Sequence, residues 1–165
     1  MIDITPYEIT GNVFKRLDKQ WMLITTERGG KVNAMTASWG GFGIIWHLPV
    51  AYILVRPQRY TFEIMEATEH FGLNFLAEHY REALQLCGTK SGRDLDKLTA
   101  AGLTTRRLEE APVVEQAELV ISCRKLYGRF LADEGFVQRE LIKKNYPGND
   151  LHKLYIGEIM AVQAE

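Results

Sequence analysis

A chain of 165 residues is long enough for one well-buried core and short for two, so residues 1–165 are read as a single domain. Its 20 basic and 21 acidic side chains leave a formal charge of −1 at pH 7, which excludes the broad positive field that nucleic-acid binding draws on. The most apolar run, Gly40 to Trp46, is far shorter than the roughly 20 residues of a membrane-crossing helix. Charged residues (Asp3, Glu8, Lys15, Arg16) break up any signal-like stretch near the N-terminus, so the expected setting is the cytoplasm, without a membrane partner. Cys87 and Cys123 stand apart, with no C-x-x-C and no histidines at ligand spacing, and neither a disulfide framework nor a metal site is expected.

In chain order, Trp21 to Thr26 reads as a strand, Glu27 to Gly30 as a turn and Lys31 to Ser38 as the returning strand of a hairpin. Gly40 to Trp46 has the glycine content of a turning strand, and Val50 to Val55 is a short apolar one. Pro57 breaks that strand, and Thr61 is placed to cap a helix carrying Phe62, Ile64, Met65 and Ala67. Phe71 to Leu76 returns as a strand, followed by a polar helical segment from Glu78 to Leu86. Ser91 is read as the cap of a short helix carrying Leu95 and Leu98 and ending near Gly102; Thr104 to Leu108 looks extended. Ala117 to Leu131 is the longest strand, a helix is expected from about Glu134 to Lys144, and Lys153 to Val162 is the last strand, with Leu154, Ile156, Glu158 and Met160 on one side. Strands clustered between short helices, without regular alternation, favour an antiparallel barrel over a doubly wound sheet. No G-x-G-x-x-G follows a strand, so a pyridine nucleotide is not held by that fingerprint.

The chemistry concentrates between Asn33 and Thr61. Met35, Thr36, Ala37, Ser38 and Trp39 form a strand of small or hydroxyl-bearing residues closed by an indole, along which a flat ring can lie against the backbone and take hydrogen bonds from its amides. Arg56 and Arg59 bracket Pro57, and guanidinium forks with the Thr61 hydroxyl suit a phosphate. An aromatic ring with an anionic tail points to FMN.

The segments N-A-M-T-A-S-W (Asn33 to Trp39), V-R-P-Q-R-Y-T (Val55 to Thr61), S-G-R-D-L-D-K (Ser91 to Lys97) and H-K-L-Y-I-G-E-I (His152 to Ile159) occur in that order. Together they resemble the flavin reductase-like, FMN-binding split-barrel family, including its flavoredoxin-type members, from about residue 10 onward. The resemblance implies a mainly β fold, an antiparallel split β-barrel of Greek-key type with short flanking helices. It implies FMN, tightly bound or exchanging, held by Met35, Thr36, Ala37, Ser38, Trp39, Arg56, Arg59, Tyr60, Thr61, Ser91 and Lys97. It assigns His152 a catalytic position near the ring or the nicotinamide, although an Asp-His pair is replaced here by Asp150-Leu151-His152. It also implies a homodimer whose partner completes the pocket.

The expected function is an FMN-dependent NAD(P)H oxidoreductase of the flavin reductase type, acting on a small nicotinamide or flavin substrate; such hydride transfer is positioning work and needs no catalytic triad. The alternatives are a flavoredoxin-like electron carrier that docks a redox protein and a non-redox ligand-binding barrel. Trp46 and His47, in the loop between the second and third strands, are candidates for substrate-side contacts.

Overall fold

A computed structural model describes residues 1–165. The first part of the chain gives β1 (Ile2–Ile4), α1 (Val13–Lys15), β2 (Met22–Arg28), β3 (Lys31–Ala37), β4 (Gly40–Ile45), β5 (Leu48–Val55), α2 (Tyr60–Ala67) and β6 (His70–Leu76). The second gives α3 (Arg81–Thr89), α4 (Lys97–Ala100), β7 (Thr105–Leu108), β8 (Ala111–Val114), β9 (Ala117–Phe130), α5 (Glu140–Asn145) and β10 (Lys153–Ala164). No helix is long and apolar enough to cross a membrane.

The fold is mainly β. One antiparallel sheet runs in the order β3-β2-β6-β9-β10-β5-β4, with β1 added to the far end of β10. The two longest strands, β9 and β10, are paired along nearly their whole length, and register shifts after Ile156 and after Ile159 bend them; such bulges raise local twist and let a sheet curl. Gly157 is required at the first bend, because a Cβ there would meet the Phe71 ring at 2.7 Å. The sheet does not close through hydrogen bonds: its outermost strands are β3 and β4, which are not paired with each other.

Two apolar cores flank this sheet. Met22, Ile24, Ile53, Phe71, Phe75, Ile121 and Tyr155 fill the inside of the curl. Leu23, Leu76, Leu84, Cys87, Leu98, Val113 and Val120 form a second core, where α3, α4 and the β7–β8 hairpin cover the outer face. Strands β2, β6 and the first half of β9 are thus buried on both faces, with Thr25, Asn74 and Ser122 as buried polar residues among their apolar ones. The distal half of β9, Arg124 to Phe130, is largely exposed.

Several local expectations need correction. Arg59 is the N-cap of α2, while Thr61 sits in its first turn, buried, accepting a hydrogen bond from Asn33 Nδ2 at 2.8 Å. Ser91 starts a turn rather than a helix; the helix begins at Lys97 behind an Asp96 cap whose carboxylate takes the Thr99 N–H. The helix expected over 134–144 contracts to α5 and a separate 3-10 turn at Asp133–Gly135, neither with a buried residue; a helix with no apolar face to bury gains little from tertiary packing. In β10 alternation holds as expected through Ile159, with Tyr155, Gly157 and Ile159 turned to the inner core and Leu154, Ile156 and Glu158 to the other side; the shift after Ile159 then brings Val162 inward. Strands β1 and β8 carry little sequence signal, since β1 has three residues and β8 begins Ala111-Pro112.

Candidate functional site

A cleft of about 230 Å³ beside β3 is lined by Met35, Thr36, Ala37, Ser38, Trp39, Leu54, Arg56, Arg59 and His152. Because β3 ends the sheet, its outward-turned N–H and C=O groups have no strand to bond, and they border this space. A second hollow of about 180 Å³ adjoins it, with Tyr60, Thr61, Ser91 and Lys97 among its walls. Arg59 belongs to both. The twelve residues that the resemblance assigns to the site therefore line two adjoining hollows, a slot of mixed apolar and polar walls and a cationic notch.

The notch is short of negative charge. Arg59 donates from Nη1 to the Gly88 carbonyl at 2.7 Å, while its Nη2 is buried with no partner. Burial lowers the Arg59 pKa, and no carboxylate offsets that cost. Lys97 is 4% exposed and donates to the Cys87 carbonyl at 3.0 Å. Burial pushes its pKa down to about 8, the Cys87 thiol opposing and the nearby Arg59 charge adding to the shift. Both cations use one donor on the last carbonyls of α3, a favourable place for positive charge. The walls of the notch that both side chains line carry no acidic side chain. Of the other two cations there, Arg93 is already paired with Glu63 and Lys90 is exposed.

The loop that closes the notch is held by steric fit. A Cβ on Gly92 would lie 2.0 Å from Asn33 Oδ1, so only glycine lets this loop lie against the Asn33–Thr61 pair. Ser91 Oγ accepts the Arg93 N–H at 3.2 Å, leaving its own proton for another acceptor.

Arg56 departs from its expected role as a phosphate anchor. It is ion-paired with Asp150, donates to the Asn145 carbonyl at 2.9 Å and lies over the Tyr146 ring. Gln58 donates to the same Asp150 carboxylate at 2.7 Å, and these two hydrogen bonds, Gln58 first, hold the Asp150 pKa below its ordinary value. Arg56 thus walls the slot and ties down the turn before β10, away from the notch. His152 is 8% exposed, with its ring 4.9 Å from that of Trp39 and Nδ1 2.9 Å from the Tyr146 phenol. Burial lowers its pKa to about 4, helped by Arg56 and opposed by Asp150, so the imidazole is neutral at pH 7.

Trp46 and His47 lie outside the slot. They form the two-residue turn between β4 and β5, both at positive φ (55° and 62°), with Trp46 exposed. Residues the sequence did not single out are Leu54, Gly92 and Tyr146. Tyr146 has no local signal beyond preceding Pro147-Gly148, since its link to His152 is made by the fold. A larger hollow of about 390 Å³ between α1 and α3 gathers none of the motif residues, and its Arg16 and Arg81 already donate to the Thr10 and Lys19 carbonyls.

A family model described as the flavin reductase like domain matches residues 14–165. The chain belongs to this family. No curated protein sequence matches this flavin reductase-like chain. Among solved structures it is similar to the flavoredoxin of Desulfovibrio vulgaris (Miyazaki F), at 22% identity and a TM-score of 0.69 over 88% of this chain and 69% of the other. An FMN-binding protein from Thermus thermophilus with bound p-hydroxybenzaldehyde superposes at 19% identity and a TM-score of 0.70, over 98% and 82%. The Streptomyces globisporus C-1027 NADH:FAD oxidoreductase SgcE6 does so at 16% identity and 0.65, over 88% and 75%. These likenesses establish the split-barrel fold of the flavin reductase-like chain.

Proposed function

We propose that this protein is an FMN-binding oxidoreductase of the flavin reductase type, with NAD(P)H as the reductant. The observation that carries the reading is the pairing of buried Lys97 with half-buried Arg59, whose Nη2 is orphaned, in a notch with no carboxylate. Two desolvated cations kept without a counter-ion are costly unless an anion joins them, and a flavin mononucleotide phosphate, with Ser91 and Thr61 hydroxyls at hand, meets that need. Met35 to Trp39 and Leu54 flank the adjoining slot, where the ring would lie along the free edge of β3.

The flavin supplies two-electron chemistry when bound, taking a hydride from a nicotinamide. This chain's part is to hold the tail in the notch, to offer edge amides of β3 to the ring, and to shield one side with Trp39 and His152. A neutral His152 does not act as an acid from its imidazolium form at pH 7. The test is an anaerobic absorbance spectrum of the FMN-loaded protein before and after NADH or NADPH. Loss of the flavin band with either supports the reductase, whereas a spectrum unchanged by both would sink it.

A second reading, a flavoredoxin-like carrier docking a redox protein, is favoured by Trp39, which is 43% exposed at the mouth of the slot and would offer a partner an aromatic contact. It predicts no bleaching by nicotinamides but rapid reduction by a low-potential protein donor. In either case a two-fold dimer is proposed, because Leu126, Tyr127 and Phe130 on distal β9 are 39%, 40% and 45% exposed. Sedimentation that gives a monomer at micromolar concentration with FMN fully bound would overturn it.

A further inference from the structure

Tyr146 follows α5, donates its N–H to the Ile142 carbonyl at 2.8 Å and is 5% exposed. Its phenol oxygen lies 2.9 Å from His152 Nδ1 and has no other hydrogen-bond partner. The imidazole is held from two sides, by Trp39 at 4.9 Å and by the Tyr146 ring edge-on at 5.5 Å. With Nδ1 turned to the phenol, Nε2 is the ring nitrogen left for the slot that His152 lines.

The proton between them can be placed by accounting for donors. A phenol carries one donor and a neutral imidazole one donor and one acceptor. Were Nδ1 protonated and donating to the phenol oxygen, the phenolic proton would be stranded in a buried position, an unfavourable arrangement. With the phenol donating to Nδ1, the imidazole proton must sit on Nε2 and every group near Tyr146 is used. The charges agree: burial and then Arg56 disfavour imidazolium against the opposing Asp150. Burial also keeps Tyr146 protonated, Arg56 opposing and Asp150 reinforcing.

We propose that Tyr146 is a positioning residue that locks His152 in the tautomer carrying its proton on Nε2, giving the slot a fixed N–H donor for a carbonyl oxygen on its occupant. A fixed donor selects for an acceptor, because a donor placed opposite it would leave both unpaired. Flavin and nicotinamide carboxamide both present carbonyl oxygens. The identity of the occupant rests on the function proposed above; the tautomer does not.

The test is long-range proton–nitrogen NMR of the ¹⁵N-labelled protein without flavin at pH 7. His152 should show an unprotonated, hydrogen-bond-accepting Nδ1 and a protonated Nε2. In Tyr146→Phe, which keeps the ring between Arg56 and Phe136, it should become a mixture of tautomers. Nδ1 found protonated in the native protein would overturn the lock without any variant being needed, as would an unaltered tautomer in a folded Tyr146→Phe. FMN is then added, followed by oxidised NAD⁺, which cannot transfer hydride. Movement of the Nε2–H signal with FMN puts the acceptor on the flavin; movement only with NAD⁺ puts it on the nicotinamide. An Nε2–H signal indifferent to both, with FMN demonstrably bound, removes the donor role. Failure to bind FMN at all counts against the proposed function, since the tautomer is read before any ligand is present. In stopped flow, Tyr146→Phe should slow flavin reduction about five-fold, the worth of one hydrogen bond; the FMN Kd should stay within about two-fold if the acceptor is the nicotinamide and rise about five-fold if it is the flavin, and an unchanged rate would mean the lock has no part in the reaction.

Discussion

At the scale of single residues, two arginines three positions apart do different work. Arg59 is half-buried with an unused, buried Nη2, whereas Arg56 is neutralised by Asp150. Arg59→Ala should therefore weaken FMN binding by about 1.5–3 kcal/mol, the usual worth of a charged hydrogen bond. Arg56→Ala should change the Kd by less and lower the melting temperature instead, because it releases the Asn145–Asp150 turn; equal losses of affinity in a titration of both would refute this division. Lys97 gives a pH signature. Its folded pKa is about 8 against an ordinary 10.5, so between those values the unfolded chain binds the proton that the fold has released. Stability of the flavin-free protein then rises with pH across that window, and the penalty is fully present below it. A phosphate restores the charged form, so FMN affinity should fall as pH rises through about 8. In Lys97→Met that decline should flatten, the Kd near neutral pH should rise and the flavin-free protein should melt higher; titrations with parallel pH profiles in both proteins would contradict it. The sequence made both arginines visible but not their separation, since what distinguishes them is a carboxylate 94 residues away from Arg56.

At the scale of elements, the β4–β5 hairpin turns through Trp46 and His47, both held in the left-handed region, at a cost of roughly 1–2 kcal/mol each for residues with a Cβ. The β2–β3 hairpin makes the same kind of turn with Gly29 and Gly30. Replacing Trp46-His47 by Asn-Gly should stabilise the protein by about 1–2 kcal/mol with no loss of FMN affinity. A denaturant midpoint that drops would mean the indole packs somewhere that matters more than the turn. Turn chemistry made the first hairpin legible, and its absence is why Trp46 and His47 read as a functional loop. Apolar alternation located β2, β3, β6 and β9 within a few residues. It failed at β8, where Pro112 interrupts the pattern, and along 134–144, where charges at helical spacing had no core to meet.

Across the whole molecule, burial is uneven. The β2–β6 pair and the first half of β9 are covered on both faces, while distal β9 and β4 lie nearer solvent. Amide exchange should be slowest at Ile24, Leu73, Phe75 and Ile121, approaching the global unfolding free energy, and faster by orders of magnitude in β4; uniform protection would mean that the sheet opens only as one unit. The order of strands was not readable, because the pairing of β1 with β10 joins residues such as Ile2 and Ala164 from opposite ends of the sequence. What the sheet leaves open has a cost beyond catalysis. An unpaired ribbon at its margin is a template on which a foreign strand can crystallise, and here the slot's occupant is what would cover it. Starved of flavin, the protein should therefore be not merely idle but sticky, so that cofactor supply sets how much of it stays in solution.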